Sequence, residues 1–164
     1  MAKKIIVLGL GNILNLDEGA GVYALKELEK ILPEKIKAEV ELVDGGVLGM
    51  DLLPYVERAS HLLVLDAVDI GAQPGEVREY TKDEIELFYH GRISWHQLGF
   101  QEVLTVAKVR GNFPSQLHLI GVQPADIRTG VGLSRRMKPA VQEMAKRAVE
   151  VLEMWLGEIK KKKI

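Results

Sequence analysis

Apolar and polar positions change period several times along the chain, and each change marks an element. Lys4–Leu10 is a short apolar run rich in β-branched residues, which predicts a buried parallel strand. From Glu18 the period lengthens. Val22, Leu25, Leu28 and Leu32 recur at helical spacing, predicting a helix that ends near Pro33. Residues 40–43 read as a second strand, closed by Asp44-Gly45-Gly46. Residues 48–57 read as a helix that Pro54 weakens in its second half. Residues 61–67 give a third, almost continuously apolar strand, 71–75 a turn, and 77–80 an edge strand. Thr81 and Glu84 have the spacing of a capping box, which opens a short helix. Residues 96–108 present a helical face of Leu98, Val103, Leu104, Val106 and Ala107, and 117–122 form another strand, stopped by Pro124. The last helix is the clearest. Met137, Val141, Met144, Ala148, Leu152 and Trp155 form a stripe from Ser134 to about Gly157.

Strands alternate with helices throughout, so the fold class is α/β with a mostly parallel, twisted sheet and helices on both faces. With no internal repeat and no linker, residues 1–164 form a single domain, and the lysines within 160–164 read as a solvated basic tail. In such sheets ligands bind at the edge where the strands' C-termini point. Three strands end in acid or near it: Asp17-Glu18 after the first, Asp44 after the second, and Asp66 at the end of the third.

Composition narrows the chemistry. The 164 residues carry a formal net charge of -1, which gives no support to a nucleic-acid partner acting through bulk charge. There is no cysteine, so disulfides and thiolate metal sites are excluded and any metal must sit on His, Asp or Glu. The apolar run after Met1-Ala2-Lys3-Lys4 is too short for a signal peptide, and none approaches the roughly 18 residues of a membrane span. The expected location is the cytoplasm.

Gly9-Leu10-Gly11 after a strand suggests a dinucleotide-binding turn, but the third glycine of that fingerprint falls at Leu14. Asp17 and Glu18 would also put negative charge where a pyrophosphate needs bare N–H groups. The same acids serve a metal. Glu18, Asp66 and His96 each fall at a strand-to-helix junction, and two carboxylates with one imidazole can bind a borderline divalent cation and leave positions open. Blander readings stand beside this one. Glu18 also suits a helix first turn, Asp66 a turn acceptor and His96 a cap. His61 opens a strand and His118 lies inside one, which reads as structural or exposed, and His90 sits in a polar loop. No G-x-S-x-G elbow supports a serine hydrolase.

In order, the chain carries Gly9-Leu10-Gly11-Asn12-Ile13-Leu14 with Asp17-Glu18 and Gly21-Val22. Asp44-Gly45-Gly46 with Gly49-Met50, Asp66-Ala67, Ser94-x-His96-Gln97-Leu98-Gly99 and Gly121-Val122-Gln123-Pro124 follow. This ordered set resembles the nickel–iron hydrogenase maturation endopeptidases. The resemblance implies a three-layer α/β/α sandwich and a cytoplasmic processing protease, and nothing in the sequence demands more than a monomer. It implies removal of a C-terminal extension from the precursor of the hydrogenase large subunit after nickel insertion, and the charge and hydropathy read above add no nucleic-acid or membrane partner. The metal contacts it implies are Glu18, Asp66 and His96, with Asp44 a further acid of the catalytic site. The divalent metal is then nickel supplied by the substrate precursor. Trp95, directly before His96, departs from the smaller residue or proline of several relatives and bears on the rim of the site.

Overall fold

The computed structural model describes residues 4–88 and 98–163. Among these residues five strands make one sheet in the order β2-β1-β3-β5-β4: β1 is Lys4–Leu10, β2 Val40–Gly46, β3 Ala59–Ala67, β4 Val77–Thr81 and β5 Gln116–Val122. β1 pairs parallel with β2 and β3, and β3 parallel with β5, whereas β4 adds antiparallel at the edge. The helices are α1 Ala20–Ile31, α2 Glu34–Lys37, α3 Leu53–Arg58, α4 Lys82–Phe88, α5 Leu98–Val109 and α6 Met137–Lys162.

The near-continuous apolar runs of β1, β3 and β5 are explained by burial on both faces. Successive side chains of a strand point to opposite faces. Thus Ile5 and Val7 of β1 join Leu63 and Leu65 of β3 against α1 and α6, through Ala24, Leu28, Met144 and Leu152. Ile6 and Leu8 join Leu62 and Val64 on the opposite face, against Val56 of α3 and Val103 and Leu104 of α5. Two apolar layers on one sheet give the α/β/α sandwich. No helix among the described residues is long and apolar enough to cross a membrane.

Several elements differ from the sequence reading, each for a local reason. β2 runs through Asp44-Gly45-Gly46 instead of stopping before it, because Asp44 still pairs with Gly9 and Gly46 with Leu10 across a register shift. The stretch 48–57 divides into a 3-10 turn, Gly49–Leu52, and α3. Pro54 opens α3 in its first turn, where a missing N–H costs nothing, and does not break it. α1 begins at Ala20, and Glu18 lies in a separate 3-10 turn, Leu16–Gly19. α6 begins at Met137 and passes Gly157 to Lys162, so the basic tail is largely helical and exposed. Lysines in a last turn complement the negative end of the helix dipole. The capping box forms in part: Glu84 Oε1 accepts from both the Thr81 N–H and the Thr81 hydroxyl, at 3.1 and 3.0 Å.

The direction of α5 matters for the site. Its C-terminal end is tied to the end of α3, where Glu57 Oε2 accepts from Arg110 Nε at 2.8 Å and from Asn112 Nδ2 at 2.7 Å. β5 then starts from the sheet's N-terminal edge. A helix of 12 residues spans about 18 Å, so the first turn of α5 stands at the opposite, strand-exit edge, and α5 also packs on the 49–52 turn there.

Candidate active site at the strand-exit edge

The glycine turn after β1 brings the backbone of two loops into contact. Gly11 has φ 130°, and a Cβ there would sit 1.9 Å from the carbonyl oxygen of Glu18. Its N–H donates to the Gly46 carbonyl at 3.0 Å, joining the exits of β1 and β2. Gly21, in the first turn of α1, rests directly on the sheet: a Cβ would lie 2.1 Å from the Leu65 carbonyl oxygen and 2.3 Å from that of Leu10. Bare backbone therefore lets the Glu18 turn close down on the strand end that carries Asp66. No phosphate cradle is needed to explain these glycines.

Of the two adjacent acids, Asp17 is entirely buried and Glu18 is partly exposed. The Asp17 carboxylate accepts four hydrogen bonds. Oδ2 takes the N–H of Ala125 at 3.0 Å, that of Asp126 at 2.8 Å and the Ser134 hydroxyl at 2.7 Å, while Oδ1 takes the Ser134 N–H at 2.8 Å. Burying a carboxylate is costly without such donors, and here one segment, 125–134, supplies them all. Backbone bonds add to the weld: Leu16 N–H to the Gly130 carbonyl, Gly130 N–H to the Leu14 carbonyl, and Asp17 N–H to the Asp126 carbonyl. Within that segment Arg128 grips the Asp126 carboxylate and holds its pKa down to about 2, by side-chain and then backbone hydrogen bonding. The Glu18 carboxylate accepts from Asn15 Nδ2 at 3.1 Å.

Asp66 is fully buried at the end of β3, in register with Gly121 of β5. By alternation it faces the same side as Leu62 and Val64, the side covered by α3 and α5. Asp44 is exposed in β2 and in register with Gly9. Val43 packs on the α3 and α5 side, and Leu42 on the other, so Asp44 projects from the α1 side. The structure thus brings Glu18 and Asp66 to neighbouring strand exits, with Asp44 at the same edge but on the other face of the sheet. His96, with Trp95, Ser94 and His90, lies outside the described residues. Among the described residues, no three His, Asp or Glu side chains form a group able to hold a metal ion.

The remaining histidines sit at the far end of the sheet. His61 meets the Trp155 ring edge-on at 5.2 Å and shares a 2.8 Å hydrogen bond with Ser60, and His118 Nε2 lies 2.9 Å from Glu79 Oε1. Both are structural, in line with their positions in the sequence. Nothing local in the sequence singles out Asp17, Asn15 or Ser134 individually. The acidic pair was visible, but Ser134 showed only as the start of a helix, and nothing local ties it to Asp17.

Known proteins match the chain along most of its length. A family model described as HycI, hydrogenase maturation protease, matches residues 22–151. The hydrogenase expression/formation protein HoxM of Cupriavidus necator is 38% identical, over 93% of this chain and 76% of its own length. The hydrogenase 2 maturation protease of Escherichia coli is 38% identical, over 90% of this chain and 87% of its own. The solved structure of the E. coli hydrogenase maturating endopeptidase HybD superposes with a TM-score of 0.81 at 34% identity, covering 92% of this chain and 93% of that one. On the extent and identity of these matches, the chain belongs to the hydrogenase maturation protease family, whose members are endopeptidases.

Proposed function

We propose that this protein removes a C-terminal extension from the nickel-loaded precursor of a nickel–iron hydrogenase large subunit, and that Glu18, Asp66 and His96 meet the precursor's nickel. One observation carries the reading: Glu18 and Asp66 stand at adjacent strand exits, on the edge where α5 begins two residues after His96. The donor set suits a borderline divalent cation, with one carboxylate enclosed, one reachable from solvent, and an imidazole. Exposed apolar side chains on three of the exit loops, among them Leu14, Val47, Leu48, Ile127 and Val131, favour a protein substrate at this edge.

The chemistry is hydrolysis. With no cysteine there is no thiol nucleophile, and water adds to the scissile carbonyl, after which the C–N bond breaks and the leaving amine takes a proton. A bound divalent cation supplies Lewis acidity to such a carbonyl. Glu18 and Asp66 orient the substrate through its metal, and Asp44, at the same edge but projecting from the α1 face of the sheet, is a further acid beside them. The protein works as a monomer in the cytoplasm, without nucleic acid or membrane.

Mass spectrometry of the precursor after mixing tests this. Wild-type protein shortens nickel-loaded precursor and leaves nickel-free precursor intact, and Glu18→Ala, Asp66→Ala or His96→Ala abolishes trimming while the protein stays folded. Trimming by all three variants at the wild-type rate overturns the site assignment. Precursor that is bound but unshortened favours a non-catalytic, metal-dependent binding module instead.

A further inference from the structure

We propose that Asp17 is the positioning residue of this site: its buried carboxylate locks the turn that carries Glu18 to the segment 125–134, and this lock sets where Glu18 meets its ligand. The inference rests on the functional reading above and adds a residue that touches neither substrate nor metal.

The geometry is specific. Glu18 belongs to a turn of only four residues, and Leu16 within it has φ 47°, an unusual conformation for a side chain of that size. Such a turn needs external support. Glu18 N–H donates to the Asn15 carbonyl at 3.1 Å, and Asn15 Nδ2 donates to the Glu18 carboxylate. Asn15 is itself bridged to Gly130. On the other side Asp17 is clasped by four donors from Ala125, Asp126 and Ser134. Asn15 and Asp17, both N-terminal to Glu18, are therefore fixed by one remote segment. A loop carboxylate that must grip a ligand gains from such support, because outer partners of a metal-binding group fix its orientation.

The chemistry of the clasp also explains why the residue is an aspartate. Oδ2 receives two backbone N–H groups and a hydroxyl, and Oδ1 receives a third N–H, so all four partners donate. An asparagine in the same place turns one oxygen into an NH2 group that faces N–H donors. The shape is kept, but the lock is weakened. Ser134→Ala is the milder perturbation, since it removes the 2.7 Å hydroxyl bond and leaves every backbone donor in place.

The test is a double-mutant cycle of Asp17→Asn and Ser134→Ala against Glu18→Gln. It is read in the affinity of the folded protein for nickel ion alone, by calorimetry, and in KM and kcat for the loaded precursor. Asp17→Asn should weaken nickel affinity about tenfold and raise KM, as losses of outer support commonly do, and Ser134→Ala should act in the same direction but less. Both effects should disappear in the Glu18→Gln background, because they act through Glu18. Amide exchange at Ala125, Asp126 and Ser134 should quicken in Asp17→Asn. A purely structural residue would lower the melting temperature and the folded fraction, leaving KM and nickel affinity of the folded fraction unchanged; that result overturns the proposal, as does full additivity with Glu18→Gln. If Asp17→Asn does not fold, Ser134→Ala carries the test. Wild-type protein that fails to trim loaded precursor defeats the functional reading and this proposal together. Wild-type trimming with unaltered variants defeats this proposal alone.

Discussion

Replacing Gly21 by alanine adds one methyl group, and the structure states where it goes. The new Cβ would lie 2.1 Å from the Leu65 carbonyl oxygen and 2.3 Å from that of Leu10, both backbone atoms of central strands. Carbon and carbonyl oxygen approach to no less than about 3.3 Å, so the first turn of α1 must retreat by on the order of 1 Å. The strands cannot give way, since β1 and β3 pair on both sides. Ala24, Leu25 and Leu28 on the same helix lose packing against Val7 and Leu65 as it moves. Overpacking of this kind costs typically 1–3 kcal/mol, and rigid backbone on both sides puts Gly21→Ala at about 3 kcal/mol. For a chain of this length that is a fall in Tm of about 6–12 °C. Gly157→Ala is the matched control. It makes the same chemical change within α6, where nothing lies within 4 Å, and the gain in helix propensity should stabilise by about 0.5–1 kcal/mol. Urea denaturation and calorimetric melting of both variants read the contrast. A Gly21→Ala protein that melts with the wild type, or two variants that shift in the same direction, would refute the reasoning.

Two further outcomes are expected. Trp155 is 2% exposed and packs edge-on against His61 and His118, so Trp155→Ala should cost about 3–5 kcal/mol in urea denaturation; a loss under about 1 kcal/mol would mean that the end of α6 contributes little to the core. Burial holds the His61 pKa below its ordinary 6.5, with Glu158 pulling it up and Lys162 pushing it down. The unfolded chain then binds that proton more tightly, so stability is fully present above 6.5 and falls as pH drops through the lowered folded value. His61→Gln should flatten this part of the stability profile, and an unchanged acid slope would contradict the assignment.

Much of this molecule is visible in its sequence because its elements are set by local periodicity. The run Ile5-Ile6-Val7-Leu8 marks a strand buried on both faces, and the stripe from Met137 to Trp155 marks the longest helix, since in each case the pattern needs one period only. Boundaries were less legible where tertiary pairing extends an element. Gly45 and Gly46 read as a stop, yet neighbouring β1 holds them in β2. At the site, chain position alone delivered Glu18 and Asp66 to one edge. The face of the sheet taken by Asp44 needed the register with Gly9, which no single segment contains. Asp17 was the least legible of all, because an acid beside Glu18 looks the same whether it is solvated or clasped by four donors.

Those four donors lie 108 to 117 residues further along the chain. At a synthesis rate of about 5–20 residues per second, Ser134 emerges roughly 6–23 s after Asp17. A nascent chain therefore carries the Glu18 turn without the segment that secures it until residue 134 has been made. Contacts of such sequence separation also form late and slowly in refolding. The edge that carries Glu18 is thus secured only once the segment 125–134 between β5 and α6 has been made.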